Sequence, residues 1–544
     1  MHRIISVTFA VMLTSMQLGA VNPFIEPGFR RHAPPPELAG TVRKIDSLLG
    51  EFRVRNSLPE IAGASDAVFV RRAYLAAAGR IPTAAETKTF LASQDPAKRA
   101  KLIDSLLASP EHADQIGMRF ADLLRIKSEF PVNLWPNAVQ TFHRKLRSDI
   151  LSNRPYSEMA HEMLTASGSN FRVPYANFFR TTGDRSPAGL ARITALTFMG
   201  LRTEKLPQEK QQAFEAFFSR IRYKKSSEWK EEFVYTDPEK AVAKAWLPGC
   251  GSYTICAPEE DPRKVLADAL VSKDNPYFAR AFVNRAWSWF FGKGLIDPAD
   301  DIFPERDFRD RLLALFRQDP DKERAVHPEL LELLTGEFVR SDYDMRHLFR
   351  LIMNCRTFHA SSIVPPEKRA VAEKYFLSFP VRRIEAEIVV DSLSVLTDRY
   401  AKYSSVIPEP FTYLPARTRA VQIADGSISS SMLDLFGRPS RDSGKISERN
   451  NRVTAGQRLY LLNSNVLYGQ LSNLGWKAGR HCKWDFQRKG IADLYLRILS
   501  RYPTPLEKKW IGDYLKTLPK KRKSNVWPDL VWTLVNSKEF LYYH

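Results

Sequence analysis

Residues 495–507 read YLRILSRYPTPLE, a helix stop followed at once by a helix start. Ile491, Leu494, Tyr495, Ile498 and Leu499 recur at the i, i+3, i+4, i+7, i+8 spacing of a helix with one buried face. That helix must end before Pro503, because proline has no N–H to donate and pushes the residue before it out of the α region. Thr504 can then cap a second helix, with Pro505 at its first position and Glu507 reaching back to close a capping box. Residues 74–86, near the other end of the chain, read YLAAAGRIPTAAE. They place Tyr74, Leu75, Arg80, Pro82, Thr83 and Glu86 at the spacing of Tyr495, Leu496, Arg501, Pro503, Thr504 and Glu507. Downstream, Leu102, Ile103, Leu106 and Leu107 form an apolar stripe ending at Ser109-Pro110-Glu111; Leu530, Val531, Leu534 and Val535 form its counterpart, ending at Ser537-Lys538-Glu539. The chain therefore writes one helix, turn, helix, helix unit twice. The motif is architectural: it predicts two equivalent units that end their respective domains and contribute no ligand site.

Working outward, the patterns predict a mainly α, multi-helical chain with two helical domains around a small irregular, β-containing mid-chain segment. Residues 1–20 combine Arg3, an apolar stretch from Ile4 to Leu13 and Leu18-Gly19-Ala20, the layout of a cleaved secretory signal. The apolar run falls short of a full membrane span. This predicts a mature protein beginning near Val21, exported to the periplasm, cell envelope or exterior, with no transmembrane segment after signal removal. Residues 21–64, with Pro23, Pro27, Pro34, Pro35 and Pro36, read as an extended lead segment. Residues 65–221 form the N-terminal helical domain. Residues 222–270 are an irregular linker with a candidate strand at Phe233 to Tyr235 and the cysteine loop GCGSYTICAP. Residues 271–544 form the C-terminal helical domain, interrupted by DGSISSSMLDLFGRPSRDSGK.

A chain of 544 residues with 44% hydrophobic and 26% charged residues has the composition of a globular protein with more than one domain. Its net charge of +20 and pI near 9.7 favour anionic partners through long-range attraction. Export turns that preference from intracellular nucleic acid towards an acidic glycan or an envelope protein, and makes PKKRKS at 519–524 a solvated loop. In an oxidising compartment, Cys250 and Cys256 are expected to close a disulfide across their short loop. Cys355 sits in the apolar run LFRLIMNC and reads as a buried thiol, while a spatial pair with Cys482 stays open. There is no C-x-x-C, C-x-x-C-H or H-E-x-x-H, and no two histidines share a helix face at i, i+4. Neither a haem nor a metal cofactor is predicted.

The stretch NLWPNAVQTFHRKLRSDILSNRPYSEMAHEMLTASGSNFRVPYANFFR resembles the first of two domains of unknown function found together in secreted planctomycete and verrucomicrobial proteins. That family is named for its association with cytochrome c domains. NPYFARAFVNRAWSWFFGKGLIDPADD, HPELLELLTGEFVRSDYDMRHLFRLIMNCRTFHASS, RRIEAEIVVDSL and FGRPSRDSGKISER resemble successive blocks of the second domain, and SRYPTPLE and LVWTLVNSKEFLYYH its close. Relatives carry C-x-x-C-H-x-H-P-F after a phrase like TALTFMGL, where this chain runs on as TFMGLRTEKLPQEKQQAFEAFF. They carry C-x-C before the Glu-Arg that corresponds to Glu448-Arg449, where this chain has Lys445 and Ser447. Lysine and serine cannot replace a thiolate at a soft metal. The resemblance therefore implies the fold, and for this member a loss of the haem or metal chemistry the family name implies.

What stands at these positions is polar: Asn177 and Arg180 in the first domain, and Asn284, Arg285, Arg438, Arg441, Glu448 and Arg449 in the second. Arginine forks of this kind hold a carboxylate, sulfate or phosphate. They also fix loops to helices through buried ion pairs, and the sequence leaves both readings open. Trp287, Trp289, Phe290 and Phe291 of AWSWFFGKG read as packed core rather than a sugar-stacking face. Asp300 with Asp301, and Glu385 with Glu387, read as solvated acidic pairs rather than catalytic carboxylates. Two functional classes survive: an exported, non-catalytic binding or scaffold protein of the envelope, and a glycan-processing hydrolase or other envelope enzyme with a polar site in the second domain. No nucleophile or metal constellation is present, which favours the first.

Overall fold

The computed structural model describes residues 24–26, 33–238, 244–255, 260–302, 325–481 and 490–544. Residues 1–20, Cys256 and Cys482 lie outside these, and so do the predicted signal and one partner of each cysteine pair. The repeated phrase forms as its caps require. Helix Asp66–Ala78 stops at Gly79 in the left-handed region (φ 60°), and helix Ile491–Leu499 stops at Ser500 with the same φ of 60°. After each stop a capping box opens the next helix. Glu86 N donates to the Thr83 hydroxyl (3.2 Å) and Thr83 N to the Glu86 carboxylate (2.7 Å). Glu507 N donates to the Thr504 hydroxyl at 3.1 Å and Thr504 N to the Glu507 carboxylate at 2.7 Å.

The other repeated residues brace these turns. Arg80 grips Glu86 with two parallel hydrogen bonds of 2.9 and 2.8 Å, and Arg501 grips Glu507 at 2.8 and 2.7 Å. Each guanidinium also lies over the repeated tyrosine, Arg80 at 4.8 Å from the Tyr74 ring and Arg501 at 5.3 Å from that of Tyr495. Arg501 takes a second carboxylate, Glu539, at 2.7 and 2.9 Å.

The units differ from expectation in one respect: they do not close separate domains but dock on each other. Buried Arg71 of the first unit donates to the carbonyls of Ile498 (2.8 Å) and Phe540 (3.0 Å) in the second. The Tyr543 hydroxyl lies 3.3 Å from the Leu75 carbonyl. Helix C-termini leave carbonyls without partners, and a buried arginine fork satisfies several at once. The repeat thus ties the two ends of the chain, and one buried core runs from Leu38 to Tyr543 through both helical regions.

The lead segment is not wholly extended. Helix Ala39–Arg55 buries Val42, Ile45 and Leu49, a stripe that the preceding prolines conceal in sequence. The mid-chain segment is a folded β insert. Strands Ile221–Lys225 and Glu232–Thr236 form a hairpin that Gly168–Ser169 extends to three strands. Lys244–Leu247 pairs with Gly251–Thr254 in a second hairpin, and helix Pro262–Val271 follows. The predicted strand at Phe233 to Tyr235 falls within the first hairpin. Cys250 Sγ lies 3.3 Å from the Asn275 amide nitrogen. Cys355 is buried, and burial pushes its thiol up to about 12. Among the described residues, no helix is long and apolar enough to cross a membrane.

Thr83→Ala and Thr504→Ala are each expected to lower the unfolding free energy by about 1 kcal/mol in chemical denaturation, the usual cost of a lost cap. Two substitutions without effect would mean that the boxes do not stabilise the units.

Candidate functional site

Three helices and one loop converge on a solvent-open cleft with a volume of about 240 Å³. Helix Pro110–Leu123, capped by Ser109, places Arg119 and Asp122 three residues apart and so on one face. Helix Phe278–Phe291 likewise presents Arg285, Ser288 and Trp289. It ends at Gly292 (φ 82°), where a Cβ would meet Arg382 Cδ at 2.6 Å, so glycine is required both by the backbone and by the arginine packed on it. Glu385 immediately precedes helix Ala386–Thr397, and the loop through Pro439, Lys445, Glu448 and Arg449 forms the remaining wall.

Beneath the wall lies a buried charge cluster. Arg449 donates to Glu387 at 2.7 and 3.0 Å and to Asp122 at 2.6 Å, while Arg441 Nε donates to Asp122 at 2.9 Å. Arg438 lies 3.7 Å from Glu387 and donates to the carbonyls of Ile428 and Asp425. Glu385 accepts from Arg119, from Arg382 at 2.7 Å and from the Tyr543 hydroxyl at 2.9 Å. Burial by itself would raise all three carboxyls. The neighbouring guanidiniums outweigh it and hold Asp122, Glu385 and Glu387 below the usual carboxylate range.

The expected site residues therefore divide. Arg285, Glu448 and Arg449 line the cleft, with Arg438 and Arg441 in the cluster behind Arg449. Glu448 accepts from the backbone N–H groups of Asp442 and Ser443 and so shapes the loop. Asn284 clamps Ile296 by accepting from its N–H (2.8 Å) and donating to its carbonyl (2.9 Å). Asn177 and Arg180 lie elsewhere. Asn177 donates to the Asn170 carbonyl at 2.7 Å, and Arg180 to Glu232 at 2.8 Å and the Leu134 carbonyl at 3.4 Å.

The acidic pairs are not solvated, contrary to the sequence reading. Glu385 and Glu387 are wholly buried on arginines; Asp301 pairs with Lys205 at 2.6 Å, and Asp300 accepts from Ile446 N at 3.1 Å. Apart from Arg382, three residues before Glu385, their partners are distant in sequence, so a local pattern could not reveal them. Trp287, Phe290 and Phe291 are core, whereas Trp289 is half-buried and faces the cleft. Arg119, Lys293, Asp297 and Arg382 also line it and were not singled out by sequence; the i, i+3 spacings of Arg119 with Asp122 and of Arg382 with Glu385 were the local signals.

The two places where the resemblance implied cysteines adjoin one further pocket. Leu201, Arg202 and Glu204 line it from one side and Asp442, Ser443 and Lys445 from the other. Arg202 there lies 3.5 Å from Asp300 and 3.8 Å from Asp301. Among the described residues, no three His, Cys, Asp or Glu side chains are grouped to hold a metal ion.

Two family models match the chain in succession. PSCyt2, a protein of unknown function (DUF1549), matches residues 44–258, and PSD1, a protein of unknown function (DUF1553), matches residues 262–307 and 318–515. The chain belongs to the two-domain planctomycete cytochrome c-associated family of unknown function. Comparison with curated proteins and with solved structures found no match. The cleft takes Arg119, Asp122 and Leu123 from the PSCyt2 region and its other wall residues from the PSD1 region. The Asp122–Arg449 pair joins the two.

In a double-mutant cycle, Asp122→Asn and Arg449→Gln are each expected to destabilise by about 3–5 kcal/mol, because each strands a buried partner. The double variant should lose less than the sum, by about 1–3 kcal/mol. Additive losses would mean that the two side chains do not interact.

Proposed function

We propose that the protein is an exported, non-catalytic binding protein of the cell envelope, whose cleft between the PSCyt2 and PSD1 regions takes the carboxylate, sulfate or phosphate group of an acidic glycan or envelope protein. The observation that carries this reading is a pair of arginines with spare donors. Arg285 donates its two terminal nitrogens to the carbonyls of Thr197 (2.9 Å) and Leu196 (3.0 Å), and Arg382 donates to Glu385 and to the Trp289 carbonyl. Both line the cleft, and each keeps a buried Nε–H without an acceptor among the described residues. Leaving such a donor unpaired costs about 1–3 kcal/mol, which an anionic acceptor recovers.

The electrostatics agree. Lys293 and Lys445 line the same cleft, and neither ammonium makes an ion pair among the described residues. Of the carboxylates that would repel an anion, Asp122 and Glu385 are held by arginines within the wall and Glu448 by the backbone N–H groups of Asp442 and Ser443. The chain's net charge of +20 supplies attraction at longer range. Export rests on the signal-like first twenty residues.

One observation favours the hydrolase reading. Burial raises the Asp297 carboxyl against the pull of Lys293, while Glu385 in the same cleft is held low. Carboxyls driven apart in this way suit an acid and its counter-charge.

Calorimetric titration with inorganic sulfate and with a sulfated oligosaccharide is expected to show binding that weakens as salt rises. The double substitution Lys293→Gln, Lys445→Gln should reduce affinity by about tenfold or more. Absence of binding, or an unchanged affinity in the variant, would overturn the reading. Release of reducing ends that disappears in Asp297→Asn would establish the hydrolase instead.

A further inference from the structure

Away from the cleft, three aromatic rings meet at the surface from three separate loops. Trp135 precedes helix Pro136–Leu151, Trp229 lies in the turn of the hairpin Ile221–Lys225/Glu232–Thr236, and Phe411 lies in the loop between residues 405 and 415. The Trp135 and Trp229 centroids are 4.7 Å apart at 77°, and Phe411 lies 5.5 Å from the first and 5.6 Å from the second. Lys230 places its ammonium 5.0 Å from the Trp135 ring and 5.7 Å from the Trp229 ring.

The cluster is not a staple that buries itself. Trp229 stays 61% exposed and Phe411 40%, and Tyr413 beside it is 62% exposed. A tryptophan left in water at this level forfeits most of what burial would contribute, so an exposed aromatic group marks a surface that receives something. The loops do not need the rings to hold them. Arg180 donates to the Leu134 carbonyl at 3.4 Å and to Glu232 at 2.8 Å, and so fixes the segment before Trp135 to the strand after Trp229. Asn177 holds the Asn170 carbonyl, and Asn170 in turn donates to the Lys230 carbonyl at 3.1 Å and accepts from Glu232 N at 3.0 Å. Glu129 accepts from the Ser405 hydroxyl at 3.0 Å and tethers the third loop. The rings are thus held ready by buried polar bonds beneath them, the preorganisation that a binding surface uses to avoid an ordering cost.

We infer that Trp135, Trp229, Phe411 and Lys230 form a binding platform for the pyranose rings of an acidic polysaccharide. A pyranose offers an apolar C–H face, hydroxyls around its rim and, in a uronic acid, a carboxylate. The platform offers an aromatic face for the first and a lysine ammonium for the last. For the hydroxyls it has two indole N–H groups, neither of which donates to another protein group among the described residues. A purely apolar partner would leave the ammonium and both N–H groups unused. Asn177 and Arg180 act here as positioning residues. The platform shares with the proposed function only the anionic character of the partner, and uses none of the cleft residues.

The test is titration with an oligogalacturonate and with its methyl-esterified, uncharged form, followed by tryptophan fluorescence and calorimetry. The wild type is expected to bind the acid in preference to the ester. Trp229→Ala should weaken both by about tenfold or more. Lys230→Gln, at an exposed position that leaves the fold intact, should bind acid and ester alike. In the background of Lys293→Gln, Lys445→Gln, which weakens any anion binding at the cleft, Trp229→Ala should still weaken oligogalacturonate binding by about tenfold or more, which separates failure of the platform from failure of the cleft. No binding of either form, wild-type affinity in Trp229→Ala, or an undiminished preference for the acid in Lys230→Gln would overturn the inference.

Discussion

The buried bridge of Arg449 between Asp122 and Glu387 is the constraint on which the remainder of the molecule depends. Each of these groups is expensive to bury alone, and replacing any one strands its partners in an apolar setting. Because Asp122 belongs to the PSCyt2 region and Glu387 and Arg449 to the PSD1 region, the pairing fixes the two regions in one arrangement. It also fixes the loop from Pro439 to Asn451, since Arg438 and Arg441 are anchored in the same cluster and Glu448 gathers the backbone N–H groups of Asp442 and Ser443. The cleft is what this arrangement leaves open. Asp122 and Glu385 are spent on internal arginines and Glu448 on backbone N–H groups, whereas Arg285, Arg382, Lys293 and Lys445 retain capacity for an external anion.

The repeated unit performs a different task at the ends of the chain. Its arginines, Arg80 and Arg501, hold their own turns, while Arg71 and Arg72 reach across to carbonyls of distant segments. Burial lowers the Arg71 guanidinium to about 10, still far above neutrality, so it remains a charged donor. Closing the chain in this way brings Tyr543 to Glu385, so the C-terminal segment reaches the base of the cleft.

How much of this was legible in sequence follows from the range of each interaction. A capping box spans three residues, and Thr83 with Glu86 and Thr504 with Glu507 declare themselves to anyone reading locally. The aromatic run at Trp287 to Phe291 was legible as core for the same reason, although Trp289 turns out to face the cleft. Helix Ala39–Arg55 was hidden behind Pro34, Pro35 and Pro36, whose turn signal outweighs a stripe of three apolar residues. The charge cluster was not legible as a cluster: Arg438, Arg441 and Arg449 stood out as arginines, but Asp122, which joins Arg441 to Arg449, lies more than three hundred residues away. Asn177 and Arg180 were noticed for their polarity, and their work is to brace loops carrying aromatic rings that no local pattern links.

The central claim is that the cleft built on this cluster holds an oxyanion against the unpaired Arg285 and Arg382 donors. Anomalous diffraction from crystals soaked in selenate tests it most directly. A selenium peak is expected in the cleft, with an oxygen within hydrogen-bond distance of Arg285 Nε or Arg382 Nε. Selenate bound only elsewhere on the surface, with none in the cleft, would contradict it.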